Sequence, residues 1–215
     1  MITFYIVRHG ETLLNSLGRA QGWSDSPLTD NGKKAAKDLG LEMKGTIFHA
    51  AYASDTLRAG QTAELILSIS GNSDIEVQKD MRLREWCLGS MEAEHNAAFI
   101  KAVSDWLVVS SFAELNKRLP DVATAIYEHD TTDMVEPFEE IANRLKCVFE
   151  DIAQSKFSNE NSNILVVTHA FAIKTLLYLF APEQLCAVER VKNTEILRLT
   201  YDEGKFHFQK WNVNC

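Results

Sequence analysis

Met1-Ile2-Thr3-Phe4-Tyr5-Ile6-Val7-Arg8-His9-Gly10-Glu11-Thr12 opens the chain and sets the reading of its fold. Ile2 to Val7 is an apolar run of strand length, too short for a helix or for the apolar core of a secretory leader. It runs directly into a cation and an imidazole. Two later stretches repeat that design: His49 to Ala53 ends at Ser54-Asp55, with Arg58 one turn further on, and Ile164 to Thr168 ends at His169. A helical pattern follows each. Thr29-Asp30-Asn31-Gly32 offers caps ahead of Lys33 to Met43, Ser54 or Asp55 can cap a helix through Ile69, and His169 leads into Phe171 to Phe180.

Further along, Phe138, Ile141, Leu145, Val148, Phe149 and Ile152 recur at three- and four-residue steps and predict an amphipathic helix over Pro137 to Ala153. The tail predicts two strands, Ile196 to Tyr201 and Phe206 to Trp211, around the turn Asp202-Glu203-Gly204-Lys205. Strands alternating with helices predict an α/β fold: a mostly parallel central sheet, helices on both faces, and a terminal hairpin at an edge. With no repeat or linker to divide it, residues 1–215 are expected to form one domain. The stretch from about 92 to 135 has no strand pattern. It carries helical segments such as Ala97 to Val109 and a loose apolar group of Trp106, Phe112, Leu115 and Leu119. It reads either as extra helices packed on the sheet or as a helical insertion over the active site.

Composition narrows the function. With 215 residues, 46% hydrophobic and 24% charged, the chain can build a full core. A net charge of −8 argues against a generally basic nucleic-acid or anionic-membrane binder, though not against a local anion site. The only long apolar stretch, Ile164 to Ala181, contains His169 and Lys174, which argues against a membrane span. Cys87, Cys147, Cys186 and Cys215 are too far apart for a zinc knuckle or a redox pair, and with no leader in view the expectation is a cytoplasmic protein with reduced thiols.

In an open parallel sheet, ligands bind at the carboxyl ends of the strands. Arg8, His9, Arg58 and His169 should therefore meet along one edge. Arginine presents a planar fork of donors and stays charged, so a pair of them suits a phosphoryl or carboxylate group. The same cations oppose a divalent metal, and no His-Glu-x-x-His cluster is present; no metal is expected. A histidine facing a bound phosphate can act as a nucleophile.

Arg8-His9-Gly10-Glu11-Thr12 resembles the signature of the histidine phosphatase superfamily, the phosphoglycerate mutase-like fold. The likeness continues through Asn15, Gln21-Gly22-Trp23-Ser24-Asp25-Ser26-Pro27-Leu28-Thr29, Gly32 and Ser54-Asp55-Thr56-Leu57-Arg58-Ala59-Gly60-Gln61-Thr62-Ala63. It resumes at Leu83-Arg84-Glu85 with Gly89, at Val166-Val167-Thr168-His169, and at Asn193 and Trp211-Asn212. The resemblance spans nearly the whole chain and is weakest from about 95 to 135. It implies that His9 is the phosphorylated nucleophile, that Arg8, Arg58 and His169 hold the phosphoryl oxygens, and that Glu85 is the general acid and base. It also implies that Asn15, Gln21, Gly22 and the position of Ala170 line the phosphate or substrate pocket, and that the phosphatase branch needs no cofactor. Glu85 follows Arg84, a neighbourhood that ordinarily means a surface ion pair of little worth. As an acid it needs a raised pKa, so turnover is expected to fall above neutral pH. The chain departs from the pattern at Ser90-Met91-Glu92-Ala93, at Ala170, where glycine is common, and at Val135-Glu136-Pro137.

The expected activity is hydrolysis of a small phosphomonoester. The alternatives are a bisphosphoglycerate-dependent mutase and a non-catalytic module that binds phosphorylated ligands. Between Ala93 and Val135 the basic residues are Lys101, Lys117 and Arg118, against Glu94, Asp105, Glu114, Asp121, Glu128, Asp130 and Asp133. That is a poor grip for a doubly phosphorylated cofactor. The apolar and acidic character of 95–135 suggests one phosphate on a neutral or apolar body, such as a sugar phosphate or a nucleoside derivative. The expected partner is thus a small phosphorylated metabolite. A homodimer is the commonest oligomer, and nothing in the sequence selects it.

Overall fold

A computed structural model describes residues 1–155, 161–185 and 190–209. Lys210 and Trp211 of the expected tail strand, the family-like Asn212, Cys186, Cys215 and the side chain of Phe112 lie outside the described residues.

Six strands form one sheet: β1 (Ile2–Arg8), β2 (Ala50–Ala53), β3 (Val77–Lys79), β4 (Ser162–Thr168), β5 (Ile196–Asp202) and β6 (Lys205–Phe208), in the order β3-β2-β4-β1-β5-β6. The first four are parallel; β5 and β6 run antiparallel at one edge. The tail hairpin turns through Glu203 and Gly204, both at positive φ (47° and 80°), as a tight two-residue turn requires. β3 escapes a sequence reading because it has three residues at the opposite edge, two of them exposed, and so shows no apolar period.

Alternation along β1 divides the core. Ile2, Phe4 and Ile6 join Ile164, Val166, Leu197 and Leu199 on one face, while Val7 joins Ala51, Ala53, Leu165 and Val167 on the other. The second face is covered by α2 (Asp30–Glu42) and α3 (Leu57–Ser70). The first is covered by α7 (Phe138–Ala153) and α8 (Ala170–Phe180). The periodic stripe of α7 is buried as its spacing dictates, with Leu145, Val148 and Phe149 at 0% exposure, each worth about 1.5–3 kcal/mol of burial.

The helix starts differ from expectation in two places. α2 begins at Asp30 and not Lys33, because the Thr29 hydroxyl already accepts the Gly32 N–H at 3.0 Å. Neither Ser54 nor Asp55 caps α3. Thr56 holds the cap position without a side-chain bond, and the Leu57 N–H is taken instead by Asp25 Oδ2 at 2.6 Å from another loop. Asp55 is occupied elsewhere, as described below.

Between the sheet's crossovers lie α4 (Asn96–Leu107), α5 (Phe112–Lys117) and α6 (Leu119–His129); the short α1 (Leu13–Ser16) and α9 (Pro182–Leu185) complete the described α-helices. Phe99, Val103, Leu115, Leu119, Val122 and Ile126 merge with the core of α7 and α8. Trp106 stacks on His129, ring centroids 4.1 Å apart.

Candidate active site

Parallel register brings the two histidines together. Arg8 on β1 pairs with Thr168 on β4, so the next residue of each strand emerges at the same edge. The His9 N–H donates to the Thr168 carbonyl at 3.0 Å, and the rings of His9 and His169 lie 5.1 Å apart. A turn tethered by the Gly10 N–H to Thr62 Oγ1 (3.0 Å) and by Asn193 Nδ2 to the His9 carbonyl (2.9 Å) holds His9 in place.

Hydrogen bonds assign the tautomers. His9 Nδ1 faces the Gly10 carbonyl at 2.8 Å, which can only accept, so the proton sits on Nδ1 and the lone pair on Nε2. His169 Nδ1 faces Arg58 Nη2 at 3.1 Å, which can only donate, so the His169 proton sits on Nε2. Burial holds both rings well below the ordinary histidine pKa, helped by Arg58 and Arg8 at His9 and by Arg58 and then His9 at His169. Both are therefore neutral at pH 7. His169 Nε2, Arg8 Nε and Arg58 Nε are buried with no hydrogen-bond partner among the described residues. Such donors are costly to leave unpaired in the interior, and the three groups that carry them neighbour the His9 ring, an arrangement that could receive an anion.

Arg58 is fully buried and does not line the open cavity. Its Nη1 donates to the Ser24 carbonyl and Asp25 Oδ1 at 2.8 and 3.0 Å, and its Nη2 also donates to the Gly22 carbonyl at 2.6 Å. Gly22 differs from expectation accordingly. It is absent from the cavity lining, and a Cβ there would come within 2.4 Å of the Trp86 carbonyl oxygen. Asn15, Gln21 and Ala170 do line the cavity. Gln21 Oε1 accepts from Thr12 Oγ1 at 2.6 Å, and Asn15 Oδ1 from Asn193 Nδ2 at 3.2 Å.

Glu85 lies at the N-terminus of α8, where His169 makes no capping bond of its own. Its carboxylate takes that place: Oε2 accepts the Phe171 N–H and Oε1 the Ala172 N–H, each at 2.9 Å, and Oε1 also accepts the Trp86 N–H at 3.1 Å. Burial raises its pKa, opposed in part by those three N–H groups. Arg84 is not its partner. Both guanidinium nitrogens of Arg84 that bond reach Asp55, at 2.7 and 2.6 Å, and the group lies 4.9 Å over the Trp23 ring.

Two buttressing residues were not singled out as functional from the sequence. Glu92 accepts the backbone N–H groups of Gly22, Trp23, Ser24 and Leu88 (2.7 to 3.1 Å) and the Ser24 hydroxyl at 2.6 Å. It thereby fixes the loop whose carbonyls hold Arg58. Arg144 donates to the carbonyls of Arg82, Arg84 and Glu85 (2.7 to 2.9 Å) and pairs with Glu136, clamping the loop that carries Glu85. The only sequence signal for Glu92 is its position within the departure from the family pattern at Ser90-Met91-Glu92-Ala93. Arg144 offers none, since a polar residue on an amphipathic helix is ordinarily solvated.

The cavity has a volume of about 220 Å³. Arg8, His9 and Glu85 face it, and Phe99 and Ile100 of α4 form an apolar wall, so the 92–135 helices both pack on the core and border the site. A wider recess of about 680 Å³, bordered by Asp105, Val108 and Arg118, collects none of these groups. Among the described residues no cluster of three His, Cys, Asp or Glu side chains could hold a metal, and no helix is long and apolar enough to cross a membrane.

The fold and this constellation define the class: the chain belongs to the histidine phosphatase superfamily (branch 1), whose pattern matches residues 4–214. A crystal structure described as phosphoglycerate mutase from Bacillus anthracis is 33% identical, with a TM-score of 0.91, covering 98% of this chain and 92% of the other. A curated relative from Shigella boydii, described as "Probable phosphoglycerate mutase GpmB", is 28% identical over 99% of this chain and 91% of its own. A phosphoserine phosphatase from Entamoeba histolytica, in complex with phosphoserine, is 26% identical with a TM-score of 0.72, covering 99% and 98%. The superfamily thus embraces mutases and phosphatases of similar architecture.

Proposed function

We propose that this protein is a metal-independent phosphatase that hydrolyses a small phosphomonoester through a phosphohistidine on His9. The observation that carries the reading is the neutral His9 ring, with its lone pair on Nε2, among three residues, Arg8, Arg58 and His169, whose buried N–H donors have no hydrogen-bond partner among the described residues. His9 Nε2 attacks phosphorus, and the bond to the substrate oxygen breaks. Glu85, protonated, gives its proton to that oxygen, and the alcohol leaves. Water then attacks the phosphohistidine, Glu85 takes a proton from it, and the N–P bond breaks to release phosphate and restore His9. Arg8 and His169 donate to the phosphoryl oxygens. Arg58 fixes the His169 tautomer and adds its charge and its Nε, so that the developing negative charge meets preorganised donors. Asn15 and Gln21 shape the pocket around them.

A cavity of about 220 Å³ lies below the roughly 300–1,000 Å³ of pockets for drug-sized ligands, which supports a small metabolite. The covering helices contribute Asn96, Phe99 and Ile100 to it and no cation. That supports hydrolysis over retention of a bisphosphorylated cofactor. Arg19, Lys174 and Arg190 in the same lining, however, favour a mutase as the second reading.

The test is phosphate release from a panel of phosphomonoesters with EDTA present, comparing the protein with His9→Ala. Release that falls about a thousandfold or more in the variant is expected. Release that needs added metal, or survives in His9→Ala, contradicts the reading. Phosphoryl return to phosphoglycerate in a coupled assay with bisphosphoglycerate, in place of release, makes the mutase reading the right one.

A further inference from the structure

Glu85 sits in a closed ring of hydrogen bonds. The Trp86 N–H donates to Glu85 Oε1 at 3.1 Å, and the Trp86 indole N–H donates to Thr175 Oγ1 at 3.0 Å. The Thr175 hydroxyl donates in turn to the Phe171 carbonyl at 2.9 Å, and the Phe171 N–H returns to Glu85 Oε2 at 2.9 Å. Aromatic contacts reinforce the ring. Trp86 stacks on Phe171, with centroids 4.8 Å apart and planes 19° from parallel, and meets Phe138 of α7 edge-on at 6.0 Å. Phe171 meets Phe99 of α4 at 6.5 Å. Trp86 and Thr175 are buried and absent from the cavity lining, whereas Glu85 and Phe171 belong to it. Whatever the first pair does for a substrate, it does through the second.

Counting lone pairs places the acid proton. A carboxyl group offers about two acceptor sites on each oxygen. Those of Oε1 are taken by the N–H groups of Trp86 and Ala172, while Oε2 accepts only from Phe171 among the described residues. The proton of the acid form therefore belongs on Oε2. Its direction depends on where the Phe171 N–H holds that oxygen, and Phe171 is held by the Trp86 stack and the Thr175 hydroxyl. A carboxyl fixed in this way meets the departing oxygen without having to reorganise.

We infer that Trp86 is the positioning residue of the general acid: through its stack on Phe171 and its bond to Thr175, it aims Glu85 Oε2 at the oxygen that leaves. The inference rests on the phosphoryl-transfer reading of Glu85. In that step the Oε2–H bond breaks as the P–O bond does, and the proton goes to the alcohol oxygen. The carboxylate left behind keeps the N–H groups of Trp86, Phe171 and Ala172, and Oε2 takes a proton from water in the second step.

Leaving groups test this. An alkyl phosphate needs a proton on its departing oxygen, whereas p-nitrophenolate leaves without one. Trp86→Leu should lower kcat/KM on an alkyl phosphomonoester by about 10- to 100-fold and on p-nitrophenyl phosphate by less than about threefold. Thr175→Val removes the hydroxyl at nearly constant shape and should show the same split, with an alkyl loss of about tenfold, while Thr175→Ser should stay within about twofold of the unaltered protein. Equal losses on both substrates, or no loss, in folded variants overturn the inference, because a merely structural role does not distinguish leaving groups. Amide hydrogen exchange needs no turnover. The Phe171 N–H should exchange about tenfold or more faster in Thr175→Val, with the last turn of α8 unchanged, and an unaltered Phe171 rate also overturns the inference. If the unaltered protein turns over neither substrate, the catalytic reading falls and the exchange rates alone decide whether Trp86 and Thr175 hold Phe171 on Glu85. If Trp86→Leu fails to fold, the two Thr175 variants decide.

Discussion

His9 and His169 are held neutral by burial and by neighbouring guanidinium groups, and that has a thermodynamic consequence. Their folded-state pKa values lie below 6.5, the value of a free side chain. Beneath pH 6.5 the unfolded chain takes up protons that the folded one refuses, so stability falls as pH drops, by about 1.4 kcal/mol per pH unit for each histidine. Glu85 acts with the opposite sign: its pKa is raised above 4.5, so its contribution is full below that value and is lost as pH rises through the folded-state pKa. Urea midpoints at pH 7.5, 6.5 and 5.5 should therefore show a shallower acid loss in His169→Gln than in the unaltered protein; parallel slopes would contradict the assignment. In catalysis Glu85→Gln should lower kcat by about 10²–10⁴-fold, and turnover should decline as pH rises past the point where Glu85 ionises. A pH-independent rate from 5 to 9 under chemistry-limited conditions would remove Glu85 from the acid role. At this scale His9, Arg8, Arg58, Glu85 and His169 could be marked out from strand ends and motif, because β1 and β4 carry their chemistry in the residue that follows the apolar run. What Glu85 does for α8 could not, because a helix cap supplied from 86 residues away leaves no local pattern.

The loop at residues 21–24 shows how elements, and not single side chains, assemble the site. Four backbone N–H groups and a hydroxyl converge on Glu92, while two carbonyls of the same loop grip Arg58. Glu92→Ala leaves those N–H groups without their acceptor and should cost about 2–4 kcal/mol of stability. Its kcat should fall while the kcat of a distant surface variant such as Lys34→Ala stays level; a Glu92→Ala protein with unaltered kcat and melting temperature would show that the loop holds itself. Gly22→Ala acts on the same element through space, since the added methyl would meet both the Glu92 carboxylate and the Trp86 carbonyl, at an expected cost of about 1–3 kcal/mol. The helices were legible where burial imposes a period, as in α7. They were misjudged at α3, whose first N–H is bonded from another loop, and β3 was missed because an edge strand of three residues buries nothing periodic.

Across the whole molecule, the sheet brings the ends of β1 and β4 side by side and the helices on each face hold them there, so His9 and His169 meet as a consequence of the fold. The parallel order of the sheet could be anticipated from alternating strands and helices. The division of labour around the cavity could not, because Lys174 sits within an apolar helix whose sequence gives no sign of which face opens on the site. The central claim is that His9 carries the phosphoryl group between substrate and water. Rapid quench into alkali during turnover of a ³²P-labelled phosphomonoester tests it most directly. The account predicts an acid-labile, alkali-stable label on the unaltered protein at His9, and none on His9→Ala. A turning-over enzyme without label, or label retained in His9→Ala, would contradict it.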